Sequence, residues 1–300
     1  MCKTCGCGDE AQAKITNMQT GKQVDIEEEI QKHAHAGEHA YHNHPHTHAD
    51  GTTHGHSHEA DDHYHGGAVQ GQILSLQQRL LAKNDAIAAQ NRAWLQGREI
   101  LALNIMSSPG AGKTTLLERT IAKLKDDVPL FVIEGDQATS VDGERIRAAG
   151  ASTIQVNTGA GCHLEADMIA RGLMELRPPT GSIVMIENVG NLVCPALFDL
   201  GESCKIVMLS VTEGEDKPLK YPHMFQAARL MIINKIDLAP YVEFDRGRCL
   251  ANAHRVNPHI EVVELSSKTG EGILAWRAWL LQELARMSDV KWCLDKGIGP

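Results

Sequence analysis

An α/β fold, with a mainly parallel sheet covered by helices on both faces, is what the sequence predicts, and three observations carry the prediction. From residue 98 onward, short apolar runs rich in β-branched residues alternate with segments of helical periodicity. Continuous apolar strands of this kind belong to sheets buried on both sides, because crossover connections put helices on each face. The first apolar run feeds directly into a glycine-rich turn that opens a helix, Ser107-Ser108-Pro109-Gly110-Ala111-Gly112-Lys113-Thr114-Thr115. A chain of 300 residues is long enough for one such domain with an appendage.

The elements follow in order. Residues 1–70 hold few large apolar side chains and much His, Gly, Ala, Thr and Asp. Such a segment buries too little surface to offset chain entropy, so it is expected to be a disordered Cys/His-rich arm. Residues 71–97 carry Ile73, Leu76, Leu80, Ile87 and Trp94 near helical spacing, with Gly97 as a stop, which predicts a connecting helix. The domain proper is expected over 98–288, followed by a tail at 289–300. Its strands are expected at Ile100–Met106, Leu130–Glu134, Thr153–Val156, Ile183–Glu187, Ile206–Val211, Leu230–Ile233 and Ile260–Leu265. Helices are expected at Thr114–Leu124, Asp142–Ala149, His163–Glu175, Phe225–Ala228, Phe244–Arg255 and Gly272–Met287. In such a sheet ligands gather at the carboxyl ends of the strands.

Composition narrows the function. Histidine is in excess, and 12 of the 16 lie between His33 and His65. Residues 1–70 also hold 11 acidic side chains against 4 lysines, so most of the formal charge of −9 sits there. An acidic, imidazole-rich segment attracts divalent cations and repels phosphate backbones, which excludes nucleic acid as a partner. No run of ~18 apolar residues and no apolar segment behind a positive one is present, so neither membrane insertion nor secretion is expected and the predicted location is cytoplasmic. Of 8 cysteines, Cys2, Cys5 and Cys7 are crowded together, a spacing that suits metal ligation better than a disulfide scaffold.

The glycine-rich turn has the chemistry of a phosphate cradle. Gly110 and Gly112 let backbone amides turn toward phosphate, Lys113 reaches the outer phosphates, Thr115 follows in the same helical turn, and the Thr114 hydroxyl suits Mg2+. Strand, loop and helix together make a P-loop, with Ser107 where the first glycine is usual. Asn234-Lys235-Ile236-Asp237 directly follows an apolar run. A carboxylate there accepts from the N1/N2 edge of guanine, whereas adenine offers no matching donor pair, so Asp237 points to GTP. Ser267 and Lys268 resemble the loop that closes over the base in GTPases. Glu187-Asn188-Val189-Gly190 resembles the segment that senses the γ-phosphate, and Glu134-Gly135-Asp136 brings further carboxylates to a strand end. Lys113, Asp136 and Glu187 are therefore the expected catalytic residues, acting by charge stabilisation and water positioning.

Three constellations suit metals. Cys2, Cys5 and Cys7 sit within reach of the α-amino group, and a planar N/S set suits Ni2+ whereas a tetrahedral one suits Zn2+. The His33–His65 tract can hold several ions loosely, its affinity falling as the imidazoles protonate. Within the domain, Cys162-His163 opens an expected helix and Cys194 lies four residues beyond Gly190. A metal held there would be joined to the segment that reorders with the γ-phosphate. Three protein ligands leave a fourth position for solvent, a partner, or the same site on a second subunit.

With these residues in hand the chain resembles the HypB family, the hydrogenase nickel-incorporation GTPases. The resemblance spans Met1-Cys2 to Gly8, the His-rich tract, Ser107–Leu117, Glu134-Gly135-Asp136-Gln137, Gln155–Leu164, Ile186–Pro195, Thr212–Pro222 and Asn234–Leu238. It implies a P-loop GTPase domain, a tight nickel site at Cys2, Cys5 and Cys7, and a weaker nickel or zinc site at Cys162, His163 and Cys194 near a dimer interface. It further implies a GTP-dependent homodimer, with Lys220 and its neighbours close to the nucleotide, and GTP hydrolysis coupled to nickel delivery. The implied partners are a small zinc-containing maturation chaperone and the hydrogenase large-subunit precursor. A related GTPase serving urease or cobalamin enzymes would account for the histidines and the P-loop, but would give no reason for the three N-terminal cysteines.

Overall fold

The apolar runs from residue 100 onward alternate between two burial environments, and this alternation builds the sheet. In the computed structural model, which describes residues 14–21, 23–25, 66–136, 141–159 and 161–295, strand β3 (Leu101–Ser107) is buried at every position. Leu101, Leu103 and Ile105 join one core cluster, while Ala102 and Met106 point to the other face. The same two-sided pattern recurs in β4 (Leu130–Asp136), β6 (Ile183–Glu187), β7 (Cys204–Ser210) and β8 (Ala228–Asn234). Such strands must be central and covered on both sides.

With β5 (Ser152–Asn157) and β9 (Glu261–Glu264) these strands form seven parallel members in the order β5-β4-β6-β3-β7-β8-β9. One face is covered by helices α2 (Lys113–Leu124), α3 (Val141–Ala149) and α9 (Ile273–Asp295). Trp276 of α9, 1% exposed, donates from its indole N–H to Thr120 Oγ1 of α2 at 2.9 Å, so a large apolar ring is buried with its polar atom satisfied. The opposite face is covered by α1 (Gly66–Gln96) and α4 (Ala166–Leu176) over one half, and by α7 (Pro222–Ala227) and α8 (Arg246–Val256) over the other. Two short helices, α5 (Cys194–Leu197) and α6 (Lys217–Lys220), lie at the carboxyl end of the sheet.

The expected strands and helices are all present, with ends that differ by a few residues. Three differences lie outside the domain core. Residues 1–70 were expected to carry no regular structure, yet β1 (Lys14–Asn17) and β2 (Gln23–Asp25) extend the sheet as a hairpin, β1 pairing antiparallel with β5. Pairing with a ready-made edge and burial of a single residue, Ile15, stabilise a strand too short to declare itself by alternation. Asn17 Oδ1 closes the turn by accepting from Gln19 N and Thr20 N. Helix α1 begins at Gly66 rather than residue 71, and α9 runs to Asp295, into the expected tail. No helix among the described residues is long and apolar enough to cross a membrane.

Candidate functional site

The loop between β3 and α2 sits at the centre of the carboxyl edge, because β3 is flanked by β6 and β7. Gly110 and Gly112 have φ of 75° and 103°, a region in which only glycine is free of strain. A Cβ on Gly112 would also lie 2.6 Å from Asn234 Nδ2. Ser107, the departure from the usual glycine, accepts from Lys113 Nζ at 3.0 Å and donates to Ser108 O at 2.7 Å. The hydroxyl thus parks the buried lysine against the loop. Burial pulls the Lys113 pKa down, opposed by the charges of Glu187, Asp142, Glu134 and Glu213.

Thr114 Oγ1 donates to Glu187 Oε1 at 2.9 Å. Glu187 ends β6 opposite Glu134 on β4, and the two are 5% and 2% exposed. Burial, then the Glu187 charge, pushes Glu134 up to about 9; burial, opposed by Lys113 and the Thr114 hydrogen bond, pushes Glu187 up to about 7. Glu134 Oε2 and Glu187 Oε2 have no hydrogen-bond partner among the described residues. A hard hydroxyl donor beside two buried carboxylates, each with an oxygen unsatisfied, fits a small divalent cation such as Mg2+. Asp136 stands two residues further along β4, half-buried, its carbonyl accepting from Thr158 N at 2.9 Å.

Asn234, Lys235 and Asp237 follow β8, and their side chains divide the work. Asn234 is fully buried and braces two loops, donating to Ala111 O at 2.8 Å and Ser267 Oγ at 3.1 Å and accepting from Ser267 N at 2.9 Å. Lys235, at φ 61°, donates to Gly110 O at 2.7 Å. Asp237 Oδ1 is buried without a partner among the described residues, a poised acceptor. Ser267 is buried and Lys268 exposed, and Arg119 of α2 holds both from below, its Nε donating to Ser267 O at 2.7 Å and its other nitrogen to Lys268 O. Thr115 is half-buried on the same helix.

The inner cysteines and histidine come together. Cys162 Sγ lies 3.1 Å from Cys194 Sγ and 3.7 Å from His163 Nδ1, and the three donor atoms lie within 4.8 Å of one another. His163 packs on Phe198 with ring centroids 3.8 Å apart, and burial holds its pKa down to about 4. A neutral imidazole is the donor state that a soft or borderline cation requires, and the two thiols beside it would lose their protons on binding. His163 Nε2 is buried without a hydrogen-bond partner among the described residues, 3.8 Å from Glu165 Oε1. The stretch between the two sites is tightly seated: Gly190 sits against Pro109 with little room for a Cβ, the nearest atoms lying 3.1–3.2 Å away, and Leu164 N donates to Asn188 Oδ1 at 3.3 Å. Cys2, Cys5, Cys7 and the His33–His65 tract lie outside the described residues.

A family model described as the CobW/HypB/UreG nucleotide-binding domain matches residues 101–264. The chain is 56% identical over 220 residues to a hydrogenase maturation factor HypB of Rhizobium leguminosarum bv. viciae, covering 73% of this chain and 74% of that one. It belongs to the HypB family of hydrogenase maturation factors. Among solved structures, HypB from Archaeoglobus fulgidus superposes with a TM-score of 0.64 at 41% identity, over 68% of this chain and 100% of that one. HypB from Helicobacter pylori in complex with nickel gives 0.64 at 39% identity, over 68% and 96%. The P-loop fold expected from the sequence is the fold of these HypB structures.

Measured against this HypB-family frame, four features of the site escape the sequence. Glu134, rather than Asp136, is the buried carboxylate facing Glu187. Ser108 Oγ donates to Glu213 Oε2, which also lies 3.4 Å from Lys217 Nζ, so the Thr212–Pro222 segment is latched to the P-loop. Lys220 instead pairs with Asp216 at 2.7 Å on the surface. Arg119 was invisible because an arginine on an amphipathic helix reads as a solvated side chain; only its position over the Gly270 turn reveals the clamp.

Proposed function

We propose that this chain is a GTP-hydrolysing nickel metallochaperone that binds nickel and delivers it for maturation of a nickel–iron hydrogenase. One observation carries the reading: the segment from Glu187 to Cys194 has one end hydrogen-bonded to the P-loop threonine and the other 3.1 Å from a second thiol. Anything that moves this segment at the phosphate end moves a metal ligand at the other.

In this reading the amides after Gly110 and Gly112 receive the outer phosphates, and Lys113 leaves Ser107 to neutralise their charge. Thr114 and Glu187 would hold Mg2+, with Glu134 beside them, and the ion would withdraw charge from the outer phosphates. Asp237 accepts from the guanine edge while Asn234 and Arg119 keep the Ala111 and Ser267–Lys268 loops in place. Glu134, Asp136 and Glu187 are the candidates for orienting water. Phosphate release then frees Glu187 and, through Gly190, displaces Cys194.

The inner donor set of two thiols and one imidazole accommodates Ni2+ or Zn2+. Val193 and Leu197, 49% and 56% exposed, flank Cys194, which favours a second copy as the source of the remaining ligands and of a GTP-dependent homodimer. Cys2, Cys5 and Cys7 would form the tight nickel site. A small zinc-containing chaperone and the hydrogenase large-subunit precursor are the partners this assigns, in the cytoplasm.

The test is nickel titration of the full chain carrying Cys2→Ala and Cys5→Ala, with GDP and with a non-hydrolysable GTP analogue, alongside solution mass. The expected result is loss of the tightest nickel, retained GTP turnover, and an inner affinity and dimer fraction that change with nucleotide. Inner-site affinity and mass indifferent to the nucleotide would overturn the coupling.

A further inference from the structure

Among its described side chains, helix α1 presents buried positions at Asn84, Ala88, Asn91 and Leu95, a stripe spaced four, three and four residues apart. Two of the four are asparagines, 6% and 5% exposed, where an apolar residue would dock at lower desolvation cost. Their amides are spent on two separate stretches of backbone. Asn84 Oδ1 accepts from Ala166 N at 2.9 Å and its Nδ2 donates to Asp199 O at 2.7 Å. Asn91 Nδ2 donates to Ala166 O at 2.8 Å and to Leu200 O at 3.0 Å.

Those stretches are the ones that carry the inner metal donors. Ala166 opens α4 three residues after His163, and Asp199 lies five residues after Cys194. Glu165, the residue before α4, makes no side-chain cap bond, so Asn84 reaches in from another helix to satisfy the first N–H of α4. The second stretch is held just as closely. Arg92 grips both carboxylate oxygens of Asp199 at 2.6 Å, and a Cβ on Gly201 would lie 2.5 Å from Ala88 O.

We infer that Asn84 and Asn91 are positioning residues for the inner metal site, forming a strut by which α1 sets the separation between Cys162/His163 and Cys194. The inference rests on the metal reading of those three residues and extends it. Each asparagine spans both halves of the site, so undocking α1 lets the two thiols drift apart while the nucleotide loops, which α1 does not touch through these residues, stay in place.

The experiment is a cobalt(II) titration of the full chain carrying Cys2→Ser, Cys5→Ser and Cys7→Ser, read by the near-ultraviolet thiolate-to-metal absorption. The histidine tract gives no such band, so the signal reports cysteines alone. In this background Cys162→Ser should abolish the band; a parent chain with no band to lose removes the metal reading and the strut with it. Asn84→Ala and Asn91→Ala, made separately, should each weaken cobalt binding at least ~tenfold, as loss of groups behind metal ligands does, and change the band shape. GDP affinity should be retained. Unchanged cobalt affinity in both variants overturns the inference while leaving the metal site standing. Parallel loss of GDP binding and cobalt binding in both would overturn it too, by assigning the asparagines a general structural role.

Discussion

Replacing Gly112 by alanine tests how the phosphate loop and the base loop are joined. A residue with a Cβ at φ 103° costs ~1–2 kcal/mol in backbone strain. The new methyl would also lie 2.6 Å from Asn234 Nδ2, inside any real contact. Asn234 must move, and with it go hydrogen bonds to Ala111 O, Ser267 Oγ and Ser267 N, each worth ~1 kcal/mol net. The sum is ~4–5 kcal/mol. Gly110→Ala is the control, since φ is 75° there but nothing lies within 4 Å of its Cβ; strain alone predicts ~1–2 kcal/mol. Urea unfolding of the nucleotide-free protein reads both costs directly, and a fluorescent-GDP titration should show Gly112→Ala binding more weakly than Gly110→Ala, because a displaced Asn234 no longer braces the Ala111 and Ser267 loops. Equal destabilisation by the two alanines would refute the contact with Asn234 as the cause.

Three further outcomes are expected. Asp237→Asn exchanges a buried acceptor for a donor, so it should lower GTP affinity ~100-fold and favour xanthine nucleotide; a competition assay in which guanine still wins would contradict the base assignment. Arg119→Ala removes two charged hydrogen bonds to the Ser267–Lys268 carbonyls and should raise the KM for GTP ~tenfold or more with kcat unchanged, so a fall in kcat alone would argue against the clamp. Burial and the Glu187 charge raise Glu134 to about 9 when folded, above its unfolded value. Its contribution is therefore fully favourable below the unfolded value, and stability falls as pH rises toward 9, at up to ~1.4 kcal/mol per pH unit. Glu134→Gln should flatten urea midpoints between pH 6 and 8 in the absence of nucleotide, and an unchanged slope would locate the titration elsewhere.

The phosphate loop was legible because its signals are local: two glycines, a lysine and a hydroxyl between an apolar run and a helix. Ser107 looked like a weakness in the motif, yet its hydroxyl is what holds Lys113. Glu134 and Asp136 could not be separated from sequence, since residues two apart on a strand share a face. How far β6 runs alongside decides which is buried, and it stops opposite Glu134. The docking face of α1 is hidden for a related reason. Ile87 and Trp94 carry the apolar spacing, whereas both are only partly buried and the buried positions among the described residues include two asparagines. Polar groups that dock by hydrogen bonding to distant backbone leave no trace in an apolar periodicity. The grouping of Cys162, His163 and Cys194 was legible only because Cys194 follows Gly190 so closely; the 3.1 Å approach of Cys162 depends on tertiary packing.

The hairpin at the sheet edge ties the chain that precedes the histidine-rich tract to the folded body. β2 ends at Asp25 and α1 begins at Gly66, so the histidines lie on a span moored at both ends, not on a free streamer. Closing such a span costs only ~0.6 kcal/mol for each doubling of its length. Its histidine number can therefore drift widely over evolution while the folded body keeps its stability.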